Sequence, residues 1–486
     1  MDADLRGLSD EVFLATVYRR YLGRSVDAEG RAHYGGMLRK WRGRKRVLAD
    51  IRKSEEARHF AKRTLISSDN RQSLKPEEKS VYAPLFPKEL GRGAAIRPRV
   101  ALLGTCLSEG LLDVAVGLGW TMQHYLMDSG LQNPDFNIPD NEVDIVVVNL
   151  TLRTVLGMVS GNGNGDLFYL RAEANHELLL ANSIAHLNTV IEHVLRLIPS
   201  GFPILFLSFL EPPEQLFGVF GRNRDKSIYH LVRAMNDEME SILSTRQNVF
   251  YFEINDIRKY YGDAGAYDGY VGHYSHAGLF PRSQQGEWIC RDILDRLEGA
   301  WAVLCGKDPV KIIITDLDNT LWRGVLAEEE EVVPWRHTEG WPIGYAEALL
   351  ECKRRGLLLA ISSKNDEAPT CDRFRQVWGQ ALRLEDFCAR QINWRPKSDN
   401  IADILQATNI LPEQALFIDD NPLEIEEVRR AFPQMRFLTG APERWRHVLL
   451  YAPETQVLPR VRQLISQLID IANSDFKTLH YNSVSC

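Results

Sequence analysis

The 486-residue chain has no apolar run of membrane-spanning length; its longest, such as 145–148 and 357–361, are strand-sized, against the ~20 residues a spanning helix needs. Its start, MDADLRGLSDEVF, has acids where a secretory leader has an apolar core. Cysteine is sparse and odd in number, seven residues with no CxxC and no Cys/His zinc spacing. That excludes a disulfide framework and a zinc module. No internal repeat or long low-complexity tract stands out, and GNGNG at 161–165 reads as a flexible loop. What is present is ordinary globular composition, 44% hydrophobic and 25% charged. At ~150 residues per domain the length allows about three domains. The expectation is a soluble cytoplasmic protein with no membrane span.

Charge is uneven along the chain. Residues 1–63 hold 16 Lys/Arg against 9 Asp/Glu, within a chain of net charge −7. The excess peaks in RKWRGRKR at 39–46, which reads either as a solvated helix end or as a dock for an acidic partner. The same 63 residues have helical spacing: Phe13, Val17 and Tyr21 with Leu14 and Tyr18 lie on one face behind an Asp10 cap. Residues 64–97, rich in Ser, Lys, Glu, Pro and Gly, read as a linker.

From residue 98 strands and helices alternate. Strands are expected at 99–103, 144–149, 204–209 and 249–253, with helices around 178–198 and 228–242. This is the pattern of a parallel sheet covered on both faces. A first α/β unit is expected over 98–305, a second over 306–445, and a helical tail over 446–486.

The segment KIIITDLDNTLWRGV, 311–325, carries the chemistry. An apolar strand ends in Asp316 and Asp318, followed by Asn319 and Thr320. At the carboxyl end of a parallel strand these face the crevice where α/β ligands bind. Two carboxylates there suit a hard cation and a split between nucleophile and acid. Three further segments follow in order. LLLAISSKND brings Ser363, Lys364 and Asn365 to a second strand end, NWRPKSDNI places Lys397 before a helix, and ALFIDDNPLEIEEV ends a third strand in Asp419 and Asp420. Asn421 reads as an N-cap with Pro422 at the first helical position.

Together these segments resemble the haloacid dehalogenase (HAD) superfamily over residues 310–440. The resemblance implies an α/β fold with a Rossmann-like HAD domain. It implies Asp316 as phosphoryl-accepting nucleophile, Asp318 as general acid/base, and Ser363 and Lys397 as phosphoryl ligands, with Thr320, Asn319, Lys364 and Asn365 near the substrate. Magnesium is implied on the Asp316 carboxylate, the Asp318 main-chain carbonyl, Asp419 and Asp420. Neither the stretch 321–344 nor that between Ser363 and Lys397 holds a full cap domain, so an open site with a minimal cap is expected. Trp322 and Trp341 flank its Asp316 side.

The wording of the motifs, DLDNTLWRGVLAEE, SKNDE, NWRPKSDNI and FIDDNPLEIEEVR, resembles the FkbH-like branch. Such proteins take the glyceryl group of 1,3-bisphosphoglycerate, release phosphate and load an acyl carrier protein for polyketide-type biosynthesis. This chain departs in having Arg323 where the family commonly has Gly, and Ser362 where a Cys often precedes the motif Ser. The middle region resembles an SGNH-hydrolase-like domain: RVALLGTCLSEGL puts Cys106 in the nucleophile slot after a strand, and DGYVGHYSHAGLF offers Asp268, His273 and His276. The usual Asp/His spacing and the GxND block are missing. Cys106 is therefore either a hydrolytic nucleophile, an acyl relay activated by His273 or His276, or a buried residue of a degenerate domain. Through Tyr18, Leu22-Gly23-Arg24, Gly30, Tyr34, Leu38 and Ser54-Glu55, the helical N-terminus resembles a small bacterial module of unknown function, often found beside surface or carbohydrate-related domains.

Three functions follow as expectations: a magnesium-dependent FkbH-type enzyme with a carrier-protein partner, a phosphatase of surface-polysaccharide assembly, or a non-catalytic scaffold. No nucleic-acid partner is expected.

Overall fold

The computed structural model describes residues 10–22, 26, 28–38, 43–55, 57–58, 84–93, 96–127, 138, 142–152, 155, 176–199, 201–211, 228–262, 283–325 and 332–458. The stretches 64–83, 161–165, 268–276 and 459–486, and residues 39–42 of the basic run, lie outside the described residues.

Three helices, α1 (Asp10–Leu22), α2 (Ala28–Leu38) and α3 (Gly43–Lys53), pack around Phe13, Val17, Val47 and Ile51. The i, i+4 spacing of α1 puts Phe13 and Val17 in this core. Asp10 is the first residue of α1 and pairs with Arg44 of α3 at 2.6 Å.

The first sheet contains β1 (Val100–Gly104), β2 (Met122–Leu126), β3 (Ile145–Asn149), β4 (Ile204–Leu207) and β5 (Val249–Phe252), all parallel, in the order β2-β1-β3-β4-β5. Helices α5 (His176–Leu197) and α6 (Ile228–Ser244) cover one face. The other is covered by α4 (Glu109–Gly117), α7 (Asn255–Tyr261) and α8 (Gln284–Leu304). Among the described residues one helical stretch, Glu177–Leu197, is long and apolar enough to cross a membrane by length and composition. Its Leu187, Val190, Ile191 and Val194 pack into the core over this sheet.

The second sheet contains β6 (Ile312–Thr315), β7 (Leu358–Ser363), β8 (Ala389–Ile392), β9 (Ala415–Ile418) and β10 (Arg436–Leu438), again all parallel, in the order β10-β9-β6-β7-β8. Helices α9 (Trp341–Arg354), α10 (Glu367–Trp378) and α13 (Trp445–Tyr451) lie on one face with Ile313. On the other, α11 (Lys397–Thr408) and α12 (Pro422–Ala431) lie with Ile312 and Ile314. Strand β6 is central and fully buried, apolar over Ile312–Ile314 as an interior parallel strand requires, and ends in Thr315. The chain runs outward from β6 through β7 to β8, then crosses back to β9. That reversal opens a crevice at the strand ends between β6 and β9.

Several expectations need correction. Strands β2, β8 and β10 are additional to those expected from sequence, and each lies at a sheet edge. The helix that the pattern over 345–355 predicts, closed by Gly356, starts earlier: α9 begins at Trp341 with Pro342 in its first turn, and Gly356 follows it at φ 104°. The boundary expected at 445/446 falls inside α13, whose Trp445, Val448 and Leu449 belong to the core of the second unit.

The expected linker 64–97 is, in its described part, a packed strap. Leu85, Phe86 and Leu90 are buried. Asp292 of α8 accepts the Leu85 amide at 3.0 Å, while His447 of α13 bonds the Leu85 carbonyl at 2.6 Å. Arg436 of β10 donates to the Leu90 carbonyl at 2.7 Å. A segment bonded to elements of both sheets is part of the fold, because each buried backbone group needs a partner.

Candidate active site

Asp316 follows β6, and its amide donates to the Ile418 carbonyl of β9 at 3.0 Å. Beneath it, buried Tyr345 of α9 donates its hydroxyl to Thr315 Oγ1 at 2.9 Å, and Thr315 passes a 2.7 Å bond to the Asp316 carbonyl. The backbone at Asp316 is thus fixed from two sides.

Lys397, the first residue of α11, is 3% exposed. Its Nζ lies 2.9 Å from Asp316 Oδ1 and 2.5 Å from Asp419 Oδ2. Burial pulls its ammonium down, but the charges of Asp316 and Asp419 outweigh this and hold it above the ordinary lysine value. The start of α11 is held by Glu427 of α12, whose Oε1 accepts the Ser398 amide at 3.1 Å and hydroxyl at 2.7 Å. This is the capping a helix N-terminus needs.

Asp419 is fully buried, and its Oδ1 accepts the Asn421 amide at 2.8 Å. Burial and the charge of Asp316 push it up to about 7, against the pull of Lys397. Asp420 is raised by the same two causes. Its carboxylate receives the Thr320 hydroxyl at 3.3 Å, and its amide donates back to Thr320 Oγ1 at 3.2 Å. Ligand atoms of Asp316, Asp419 and Asp420 all lie within 4.8 Å of one another. Three converging carboxylate oxygens, two of them on groups that burial and a neighbouring charge drive toward neutrality until a cation offsets that charge, fit a hard divalent cation.

Asp318 stands apart from that cluster. Trp322 Nε1 donates to its Oδ1 at 2.9 Å and Asn365 Nδ2 to its Oδ2 at 3.0 Å. The same Asn365 nitrogen lies 3.1 Å from Ser363 Oγ. One amide therefore links the second acid to the motif serine.

The remaining expected substrate contacts are engaged within the protein. Asn319 takes a φ of 50° and its Oδ1 accepts the Gly324 amide at 2.9 Å, closing the turn after Asp318. Thr320 is fully buried against Asp420. Lys364 pairs with Glu424 at 2.8 Å and with Glu427 at 3.5 Å. Trp322 is buried as a donor to Asp318, and Trp341 lies under Arg323 at 6.0 Å.

At the strand ends of the first sheet, Cys106 is exposed and opens a 3-10 turn (Cys106–Ser108), with Thr105 Oγ1 accepting the Leu107 amide at 3.3 Å. A side chain on Gly104 would strike Ser108 Oγ, so the glycine lets the turn close on the strand. Sequence reading missed Asn149, which ends β3 and donates to Ser108 Oγ at 2.9 Å. It missed as well the linked group of Ser208, Glu253 and Tyr251, with bonds of 2.7 and 3.0 Å to Glu253. The polar residue closing each apolar strand was the available signal. His276, with Asp268 and His273, lies outside the described residues.

No family model and no curated protein matches the chain. Among solved structures, the N-terminal part of BF1531 from Bacteroides fragilis, containing a phosphatase domain and complexed with Mg, is similar with a TM-score of 0.51 at 22% identity, over 75% of this chain and 95% of that one. A 3-deoxy-D-manno-octulosonate 8-phosphate phosphatase from Moraxella catarrhalis, in complex with magnesium, phosphate and KDO, matches with a TM-score of 0.22 at 16% identity, over 33% and 93% of the two chains. An acylhydrolase described as BF3764 from Bacteroides fragilis matches with a TM-score of 0.23 at 12% identity, over 48% and 94%. The first likeness is one of fold: α/β, with two parallel sheets covered by helices.

Proposed function

We propose that the chain is a magnesium-dependent phosphoryl-transfer enzyme of the HAD type. The observation that carries this reading is the buried Lys397 ammonium joining Asp316 to Asp419 at the edge of a three-carboxylate cluster. Asp316, Asp419, Asp420 and the Asp318 main-chain carbonyl would hold the cation, whose charge offsets that of the phosphoryl oxygens. Asp316 attacks phosphorus, the bond to the leaving oxygen breaks, and Asp318 gives that oxygen a proton. Asp318 then takes a proton from the water that hydrolyses the aspartyl phosphate, restoring Asp316 and freeing inorganic phosphate. Lys397 and Ser363 hold phosphoryl oxygens, and Asn365 keeps Asp318 turned toward Ser363. Such chemistry needs mainly positioning and charge neutralisation, which this rigid cluster supplies.

The finer reading is FkbH-type. In it the 3-phosphate of 1,3-bisphosphoglycerate is removed at Asp316. Separately, a thiol sulfur attacks the acyl carbon, the carbon–oxygen bond to the other phosphate breaks, and phosphate leaves. The final acceptor is the phosphopantetheine thiol of an acyl carrier protein in the cytoplasm. The SGNH-like unit, 98–305, would serve the acyl step through Cys106, with His276 as its base. Support comes from the motif wording and from the exposure of Cys106 at the strand ends of the first sheet.

The test is intact-protein mass spectrometry after incubation with 1,3-bisphosphoglycerate, magnesium and holo carrier proteins, using wild type, Asp316→Asn and Cys106→Ala. A glyceryl adduct on a carrier, lost in Asp316→Asn, supports the FkbH-type reaction, and its loss in Cys106→Ala makes that thiol the relay. No adduct, with phosphate still released from simple phosphoesters, leaves a phosphatase without carrier loading.

A further inference from the structure

Ten large hydrophobic side chains stand exposed among the described residues, and the two most exposed are Leu423 at 77% and Trp394 at 65%. Single exposed apolar residues are common and need no explanation. Both follow strands of the second sheet at the end that carries the site, on loops separated by β6 and β7. Trp394 follows β8, three residues before Lys397, and Leu423 is the second residue of α12, three residues after Asp420. In the order β10-β9-β6-β7-β8, their loops lie on either side of the β6 and β7 strand ends that carry Asp316 and Ser363.

Trp394 is also held in place while exposed. Its Nε1 donates to Asp366 Oδ1 at 2.9 Å, and Asp366 adjoins Asn365, the residue bonded to Asp318. The loop beneath it is fixed by Asn393, whose Oδ1 accepts the Arg395 amide and the Asn400 side chain, each at 3.0 Å. It is the one exposed tryptophan among the described residues. A rigid, solvent-facing indole beside a reaction centre contributes nothing to core packing. It does offer a preorganised apolar face with little ordering left to lose on binding.

We propose that Trp394 and Leu423 form a two-sided apolar subsite for the leaving group of the substrate, so that the enzyme prefers phosphates carried on an apolar or planar organic group over small polar ones. This rests on the phosphoryl-transfer reading alone and deepens it; it stands against the FkbH-type reading, whose leaving group is small and polar. Trp394 packs against the face of the leaving group, Leu423 closes it from the other side, and Asp366 fixes the indole plane.

The experiment compares hydrolysis of 1-naphthyl phosphate and acetyl phosphate, with magnesium, by wild type, Trp394→Ala, Trp394→Phe and Leu423→Ser. In parallel, tryptophan fluorescence measures binding of 1-naphthyl phosphate to the Asp316→Asn protein with and without Trp394→Ala. The ratio of kcat/KM for naphthyl over acetyl phosphate falls about tenfold in Trp394→Ala, chiefly through KM, because the naphthyl face that the indole covers is then left in water. It falls less in Leu423→Ser and is largely restored by Trp394→Phe, which keeps the ring and drops the N–H. An unchanged ratio in Trp394→Ala overturns the proposal, as does an equal loss on both substrates. If the wild type hydrolyses neither phosphate, the phosphoryl-transfer reading fails, and the binding arm still decides the subsite: equal affinity with and without Trp394 overturns it.

Discussion

Lys397 donates a 2.5 Å hydrogen bond to Asp419, and both side chains are almost sealed from solvent. Neither charge has water to fall back on, so the pair holds only while both partners, and Asp316 at 2.9 Å from the same nitrogen, are present.

Lys397→Met removes the cation and leaves two buried carboxylates facing each other. Breaking a buried pair from one side costs about 3–5 kcal/mol. Urea titration of the metal-free variant is expected to show a loss in that range, and phosphate release is expected to fall below detection. A variant as stable as wild type contradicts the arrangement.

The Asp419 shift gives a pH dependence of definite sign. Its folded value, about 7, lies above the 3.8 of an unperturbed carboxyl. Between those values the folded state holds a proton that the unfolded chain has released, so stability falls as pH rises through this window. Metal-free protein is expected to melt lower at pH 7.5 than at pH 5.5 on account of this group. Magnesium, which needs the deprotonated cluster, is expected to raise the melting temperature more at pH 7.5 than at pH 5.5. In an Asp419→Asn protein both differences shrink.

Asn365→Ala unties Asp318 from Ser363 while leaving the carboxylate cluster intact. The expected effect is a fall in kcat of about 10- to 100-fold, at or below the low end of a general acid's full contribution of roughly 10²–10⁴. Magnesium affinity, read from the metal dependence of the rate, is expected to change little. A large loss of magnesium affinity would show that Asn365 acts on the cluster instead.

Asp292 anchors the strap, accepting the Leu85 amide at 3.0 Å and the Tyr261 hydroxyl at 2.6 Å. Asp292→Ala takes this acceptor from the buried Leu85 amide, at a cost of about 1–3 kcal/mol. Limited proteolysis is expected to cut the 84–93 segment faster in this variant than in wild type, with phosphate release at Asp316 preserved.

Burial explains which parts of this architecture the sequence discloses. Strands β3, β6 and β9 are interior and read as unbroken apolar runs, such as Ile312-Ile313-Ile314. Strands β2, β8 and β10 lie at edges, where Gln123 and His124, Arg390 and Gln391, or Arg436 interrupt the run. Strand β5 is also an edge, yet Val-Phe-Tyr-Phe is apolar enough to announce itself. The strap escapes notice because Leu85, Phe86 and Leu90 are diluted by the polar residues around them. Within the site, the strand-end motifs mark Asp316, Lys397, Asp419 and Asp420, and the resemblance those motifs carry implies their convergence. It does not disclose that Lys364 is engaged by Glu424, or that Trp322 and Asn365 hold Asp318, since those contacts depend on how loops and helices meet.

The central claim, phosphoryl transfer at Asp316, is tested most directly by phosphate release from acetyl phosphate, comparing wild type with Asp316→Asn, each with magnesium and with the metal chelated. The account predicts turnover in wild type that stops on chelation and returns with magnesium, and none in Asp316→Asn, whose fold is retained by circular dichroism. Turnover by Asp316→Asn at the wild-type rate would contradict it and place the nucleophile elsewhere.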